Sequence, residues 1–339
     1  MSRKDDHAQL AFEQFARRGL NDYDQMTLVH HSLRSIDYAD VDLTTTLGSL
    51  RLEYPFYINA MTGGSDWTRS INEKLAELAK RTGLAMAVGS MSAAMQDPSL
   101  WDSFQIVREV NPDGLIFANL NANYTASDAQ TAIDRLQANA LQIHVNAAQE
   151  IVMAEGDRAF SHWPQHIEEI VEASPVDVIV KEVGFGMSRE TIVELMARGV
   201  RIIDVSGRGG TNFAQIENDR LSDRPMAYLN SWGQSTVQSL LEARSYREEV
   251  DLVASGGIRH PLDFIKSFVL GAKAIAMAGP FLHLVLEHGV DHAVEQVEAW
   301  KHELRLLMAL LGTPTLADLQ EQHYILSADL LNYRVQRGV

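Results

Sequence analysis

The chain has 339 residues, 46% hydrophobic, 22% charged and 7% aromatic, a globular balance that excludes a disordered, collagenous or low-complexity protein. Lys plus Arg number 29 against 45 for Asp plus Glu, so a surface of formal charge −16 repels nucleic acid and anionic lipid. Cysteine is absent, which removes disulfides, thiolate metal sites and cysteine nucleophiles together. The opening MSRKDDHAQL lacks the apolar core of a signal peptide, and no apolar run reaches the roughly 18 residues of a membrane span. A cytoplasmic protein without nucleic-acid or membrane partners is expected.

In chain order, near-continuous apolar runs predict strands at 56–61, 85–89, 115–120, 140–145, 177–183, 202–206, 251–255 and 274–278. Such runs suit parallel strands covered on both faces. Helices fall between them. Ser70-x-x-Glu73 predicts a capping box for a helix carrying Ile71, Leu75 and Leu78 and stopped by Gly83. Ser188 predicts the cap of a helix with Ile192, Leu195 and Met196, ended by Gly199. Pro261 suits the first turn of a helix with Phe264, Ile265 and Phe268, and Gly271 follows it. A last helix carries Val294, Val297, Trp300, Leu304, Leu307 and Leu311 on one stripe.

Eight strands alternating with helices predict one α/β domain, a (β/α)₈ TIM barrel over residues 56–311. A doubly wound sheet is the competitor, but no G-x-G-x-x-G follows the first strand. Residues 1–55 form an N-terminal extension that could cover one mouth. The segment 207–232 is too long for a routine connection and reads as a functional loop.

A barrel's active site lies at the C-terminal ends of its strands. Strand alternation puts Ile58 and Ala60 on one face with Thr62, and Met86 and Val88 with Ser90. The same rule aligns Leu115 and Phe117 with Asn119 and Asn121, and Gln142 with His144 and Asn146. It also aligns Ile179 with Lys181, and Ile202 with Asp204 and Ser206. Apolar starts give way to polar ends, as a polar-lipped barrel requires.

Lys181, inside the run VIVKEV, either faces a bound anion or cofactor edge, or points outward with Glu182 inward, or pairs with a structural carboxylate. Gly-rich turns at Ser206–Thr211, Ser255–Arg259 and Ala278–Gly279 suit phosphate cradles, or tight turns alone. His144-x-Asn146-x-x-Gln149-Glu150 offers one carboxylate for Mg²⁺, which tolerates water and substrate oxygens, or else a structural rim network. Arg3, Lys4 and His7 converge if helical, or form a frayed basic end.

Five motifs occur in order: Arg3-Lys-Asp-Asp-His7, Ala60-Met-Thr-Gly-Gly64, His144-Val-Asn-Ala-Ala-Gln-Glu150, Lys181-Glu-Val-Gly184 and Asp204-Val-Ser-Gly-Arg-Gly-Gly-Thr-Asn-Phe213. From residue 3 to about 282 the chain resembles the type 2, FMN-dependent isopentenyl diphosphate isomerases. The resemblance implies an FMN barrel that interconverts isopentenyl and dimethylallyl diphosphate, with Mg²⁺ and NADPH as reductant of FMN. A homo-oligomer, tetramer or octamer, is expected.

By resemblance Arg3, Lys4 and His7 bind substrate diphosphate, with His144 and Asn146 assisting. Gln149 lies at the reacting carbons as the catalytic candidate, and Glu150 holds the metal. Ala60, Met61, Thr62, Ser90, Asn119, Lys181, Ser206 and Thr211 contact FMN, while Gly257, Ile258, Arg259, Ala278 and Gly279 hold its phosphate. Many members carry Ser-Gln-Arg after the second strand, where this chain has Ser90-Met91-Ser92. The alternatives are an FMN-dependent 2-hydroxy-acid oxidase or dehydrogenase, needing a His base and an Arg clamp, and a flavin or phosphosugar-binding barrel without isomerase activity. Inosine monophosphate dehydrogenase needs a cysteine and is excluded.

Overall fold

All eight predicted strands form, and they close on themselves. The computed structural model describes residues 3–15, 21–221, 223 and 226–339. Ahead of the barrel lie β1 (Met26–Leu28) and the hairpin β2 (Thr45–Leu47) and β3 (Leu50–Leu52). The barrel strands are β4 (Phe56–Ile58), β5 (Met86–Ala87), β6 (Ile116–Asn121), β7 (Ala140–Val145), β8 (Asp177–Glu182), β9 (Ile202–Asp204), β10 (Asp251–Ser255) and β11 (Ala272–Met277). They pair in parallel in chain order, and β11 returns to β4. No helix among the described residues is long and apolar enough to cross a membrane.

Two strand faces differ from expectation. Tyr57 and Ala87, not Ile58 and Met86, join the inner cluster with Phe117, Ile179, Ile202 and Val253. Ile58, Met86 and Val88 pack outward against the helices. A period of two makes any slip of one residue exchange the whole face. The interior mixes Tyr57 and Phe117 with alanines, while Ile58 and Met86 pack into the helix layer outside.

The helix caps are mostly as read. Ser188 caps Arg189–Ala197, and Pro261 opens Pro261–Val269. The capping box of the first barrel helix is Ser65 with Thr68, not Ser70 with Glu73. Ser70 lies inside Asp66–Thr82, its hydroxyl donating to the Trp67 carbonyl. The helix begins a turn before its apolar stripe does, which is why the stripe misplaced its start. The segment 207–232 is not simply a loop, because it carries the helix Phe213–Arg220 and a 3₁₀ turn at Ala227–Ser231.

The first fifty residues serve both mouths. The hairpin β2–β3 plugs the lower one, where Leu47 and Leu52 join the interior cluster. Its turn is held by the acids that begin β8 and β10: Ser49 N–H donates to Asp177 Oδ2 at 2.7 Å and Gly48 N–H to Asp251 Oδ2 at 2.8 Å. The helix Arg3–Phe15 lies over the upper mouth, with Ala8 and Ala11 buried. The stripe-bearing helix Gly289–Leu311 is not the last element. Strand β12 (Tyr324–Leu326) pairs antiparallel with β1, and Arg337 of the closing helix binds the buried Glu242 at 2.6 Å.

Leu47 is fully buried, so Leu47→Ala removes apolar contact without a polar substitute. Equilibrium urea unfolding should show a loss of about 3 kcal/mol. A loss below about 1 kcal/mol would mean the hairpin is an accessory to the barrel.

Candidate active site

Six polar residues cross the barrel's upper interior in a continuous hydrogen-bonded chain. Asn59 Nδ2 donates to Asp204 Oδ2 at 3.1 Å, and Gln142 Nε2 donates to Asn59 Oδ1 at 3.0 Å. Asn119 Nδ2 donates to Gln142 Oε1 at 3.0 Å, and His144 Nδ1 lies 2.8 Å from Asn119 Oδ1. Ser255 Oγ closes the other end on Asp204 Oδ1 at 2.6 Å. Asn59 escaped the sequence reading because the first strand was assigned the opposite face. The alternation of Tyr57 with Asn59 was the available signal.

Lys181 points inward, 5% exposed, and Glu182 outward. Its ammonium donates to the Glu182 carbonyl at 2.7 Å, and Asp204 is its register partner on β9. Burial pulls the Lys181 pKa down, and the Asp204 charge opposes that shift. Burial drives the His144 ring down to about 3, helped by the charges of Lys181 and Lys4, so the imidazole is neutral.

Above this layer opens a cavity of about 380 Å³. Arg3, Lys4 and His7 reach it from the N-terminal helix, and His144, Asn146, Gln149 and Glu150 from the end of β7. Ala60, Met61, Thr62, Ser90, Asn119 and Lys181 line it too. At the Ser90–Ser92 turn the two serine hydroxyls pair at 2.8 Å, Gln96 lies alongside, and Lys4 Nζ donates to the Ser90 carbonyl at 3.4 Å. Burial, then the Arg3 charge, brings Lys4 down to about 8.

A narrower cavity of about 80 Å³ adjoins it, sharing Ala60, Met61 and Lys181. Its walls include Ser206, Thr211, Gly257, Ile258, Ala278 and Gly279. Arg259 does not line it. Its guanidinium binds Asp24 at 2.7 Å and Asp263 at 2.8 Å, and its N–H donates to Asp263 as well.

Glu217 is the residue that sequence reasoning missed. It lies 1% exposed on Phe213–Arg220, one turn after Phe213 and on the same face. A carboxylate within that buried stripe was the signal. Its Oε1 is 2.8 Å from His7 Nε2 and accepts from Gln149 Nε2 at 3.1 Å, while Oε2 binds Arg220 at 2.5 Å. Burial works against its charge, but the His7, Gln149 and Arg220 contacts outweigh burial and hold the carboxyl below its usual range.

The glycines and orphaned atoms fit a bound flavin phosphate and ring. A Cβ on Gly210 would come within 2.9 Å of the Gly257 nitrogen, and one on Gly256 within 2.0 Å of the Gly207 oxygen. The two turns are therefore packed backbone to backbone, and their glycines meet at the wall of the narrow cavity. Thr62 Oγ1 and Asn146 Oδ1 are buried without partners among the described residues, as donors and acceptors awaiting a ligand would be. For a metal, no cluster of three His, Asp or Glu side chains forms among the described residues. Glu150 Oε1 accepts from Asn146 and Oε2 from the Asp157 N–H, each at 2.9 Å.

A sequence model of the FMN-dependent dehydrogenase family matches residues 104–326. The isopentenyl-diphosphate delta-isomerase of Staphylococcus epidermidis is 48% identical over 337 residues, 99% of this chain and 96% of its own. That of Staphylococcus saprophyticus is 48% identical over 99% of this chain and 97% of its own. The chain belongs to the type 2, FMN-dependent isopentenyl-diphosphate delta-isomerase family. Membership makes it an FMN-dependent isomerase, and the similarity extends past residue 282 to the C-terminal elements. Among solved structures, mandelate oxidase with (S)-2-phenylpropionate aligns with a TM-score of 0.66 at 16% identity, covering 95% of this chain and 90% of that one. A flavocytochrome b2 variant with benzoylformate aligns with a TM-score of 0.70 at 18% identity, covering 96% and 83%. At those identities they share the isomerase family's barrel fold and no more.

Glu217→Ala would strand His7, Gln149 and Arg220 together. Hydrogen exchange should rise across Arg3–Phe15, and stability should fall by about 2 kcal/mol. That is below the roughly 3–5 kcal/mol of a fully buried pair, because His7 and Arg220 keep some solvent. Unchanged exchange would show that the N-terminal helix is held by its apolar face alone.

Proposed function

We propose that this chain interconverts isopentenyl and dimethylallyl diphosphate by a 1,3-allylic proton shift in the upper mouth of its barrel. One observation carries the reading. Cations from the N-terminal helix and amides from the end of β7 converge on one cavity, which opens onto the glycine-lined one beside Lys181. Reduced FMN, when bound, would supply exchangeable protons and electron density beside a carbocation-like transition state.

The chain's own residues would do the rest. Lys181 would hold the electron-rich edge of the flavin ring as a cation, and the Gly210 and Gly257 turns would hold its phosphate. Arg259, committed to Asp24 and Asp263, would act there only by bracing the Ile258 turn. Lys4 and His7 would bind the substrate diphosphate, with Arg3 at the rim beside Glu155. Gln149, held by Glu217, would orient the reacting carbons, since an amide neither gives nor takes a proton readily. Glu150, a single carboxylate, would hold Mg²⁺ only together with substrate oxygens. NADPH would be the priming reductant, and the enzyme would work as a cytoplasmic homo-oligomer, tetramer or octamer. A hydroxy-acid oxidase would need an ionisable His base, whereas His144 is neutral and tied to Asn119.

Substrate and product have the same oxidation level, so reductant is needed once and not per turnover. With dithionite-reduced enzyme in D₂O, many turnovers should proceed without NADPH. Deuterium should enter the product's methyl group and the carbon next to the diphosphate-bearing one. One NADPH consumed per turnover, or equal activity with oxidised flavin, would reopen the oxidoreductase reading.

Lys4 also sets a pH dependence. Its amine is charged below about 8 and neutral above it, so KM for the diphosphate should rise as pH passes about 8 while kcat changes less. Lys4→Arg, whose cation does not titrate there, should flatten that limb. A KM profile that is the same in both proteins would remove Lys4 from the diphosphate site.

A further inference from the structure

Asp204 is completely buried and its oxygens face three donors, Ser206 N–H and Ser255 Oγ on Oδ1 and Asn59 Nδ2 on Oδ2. Burial raises its carboxyl above the usual range, with the Lys181 charge and those hydrogen bonds opposing the shift. All three contacts are donors, so each Asp204 oxygen is used as an acceptor. Asn59 must therefore turn its nitrogen toward Asp204 and its oxygen away. The Ala60 backbone N–H donates to that oxygen at 2.9 Å, which pins the same orientation from the other side.

Each later amide then has one permitted direction. Gln142 gives its nitrogen to Asn59 and its oxygen to Asn119, and Asn119 gives its nitrogen to Gln142. What remains for His144 Nδ1 is the Asn119 oxygen, and an oxygen there demands a proton on Nδ1. We propose that Asp204 is a positioning residue that fixes His144 as the Nδ1–H tautomer through Asn59, Gln142 and Asn119. The lone pair then sits on Nε2, so His144 is a hydrogen-bond acceptor toward the cavity it lines. On the diphosphate reading above, its partner there carries a proton: a protonated phosphate oxygen, a water or the Lys4 ammonium. A bare ionised oxygen is excluded.

The tautomer is readable without turnover. In purified flavoprotein labelled with [¹⁵N]histidine, with His144 assigned by its loss in His144→Gln, Nδ1 should be protonated and Nε2 bare. In Asp204→Asn the Ser206 N–H holds the new amide's oxygen, so its NH₂ faces Asn59 while the Ala60 N–H still holds the Asn59 oxygen. Asn59 then has no single satisfied orientation, and the His144 proton should be shared between Nδ1 and Nε2. Gln142 does not touch His144, yet Gln142→Met should abolish the single tautomer. Gln142→Glu should keep it, because a carboxylate there still accepts from Asn119. A wild-type ring protonated on Nε2 overturns the proposal. So do unchanged His144 shifts in both Asp204→Asn and Gln142→Met. If Asp204→Asn fails to fold, the Gln142 pair decides alone.

Discussion

Eight strands closing on themselves leave an interior wide enough for side chains and too narrow for a pool of water. A polar group placed there must find its partner among the other strands, because solvent cannot supply one. Lower in the barrel Phe117, Ile179, Ile202 and several alanines fill the space with Leu47 and Leu52 closing it from below, and the buried Tyr57 hydroxyl accepts from Gln142 at 3.4 Å. Higher up, Asn59, Asn119, Gln142, Asp204 and Lys181 are all at least nine-tenths buried. They are tolerable as a set and not singly. Removing any one leaves a neighbour with an unmet donor or acceptor, at about 1–3 kcal/mol each. The same pairing makes the floor of the active site rigid, since no amide can turn without its neighbours turning too.

The upper cavity is a second consequence, this time of charge. A chain of net charge −16 must attract an anionic substrate by local means. The N-terminal helix brings Arg3, Lys4 and His7 to a mouth whose other walls carry Glu150, Glu155, Asp157 and Glu217. Arg3 and Arg220 both reach Glu155, and Arg220 and His7 both reach Glu217, so positive and negative groups alternate across the rim. Lys4 stands apart from that alternation: its ammonium rests on the Ser90 carbonyl, and burial makes its charge costly. An arriving anion would relieve Lys4 more than it would relieve the already paired Arg3 or His7.

Much of this was legible beforehand, and the reasons are physical. Parallel strands buried on both faces read as apolar runs, so all eight appeared, and four of the six with assigned faces kept them. Phe56–Ile58 and Met86–Ala87 did not, because Ile58 and Met86 look like core residues and are core residues, only of the outer layer. Hydrophobicity marks burial and does not say on which side of a barrel wall. Motif residues such as Lys181, Thr62 and Gly257 reached the cavities as read. Arg259 did not, since Asp24 comes from the N-terminal extension and no local pattern announces that contact. Glu217 showed only as a carboxylate within a buried stripe, because its partners lie 68 residues away at Gln149 and on the far N-terminal helix.

Ser206 shows how closely the turn and the interior are joined. Its φ is +34°, a left-handed conformation that glycine adopts freely and serine at a cost of about 1–3 kcal/mol. The backbone is held there from both sides. Its N–H donates to Asp204 Oδ1 at 3.1 Å, and its carbonyl accepts from Gly184 and Gly186, both at 3.0 Å. The carboxylate that orders the amides of the interior therefore also sets the entrance to the glycine turn, two residues beyond it. Glycine at 206 would satisfy the conformation and lose only the hydroxyl, which lies in the wall of the narrow cavity. Serine here thus carries a backbone strain that glycine would avoid, and what it adds is one hydroxyl at that wall.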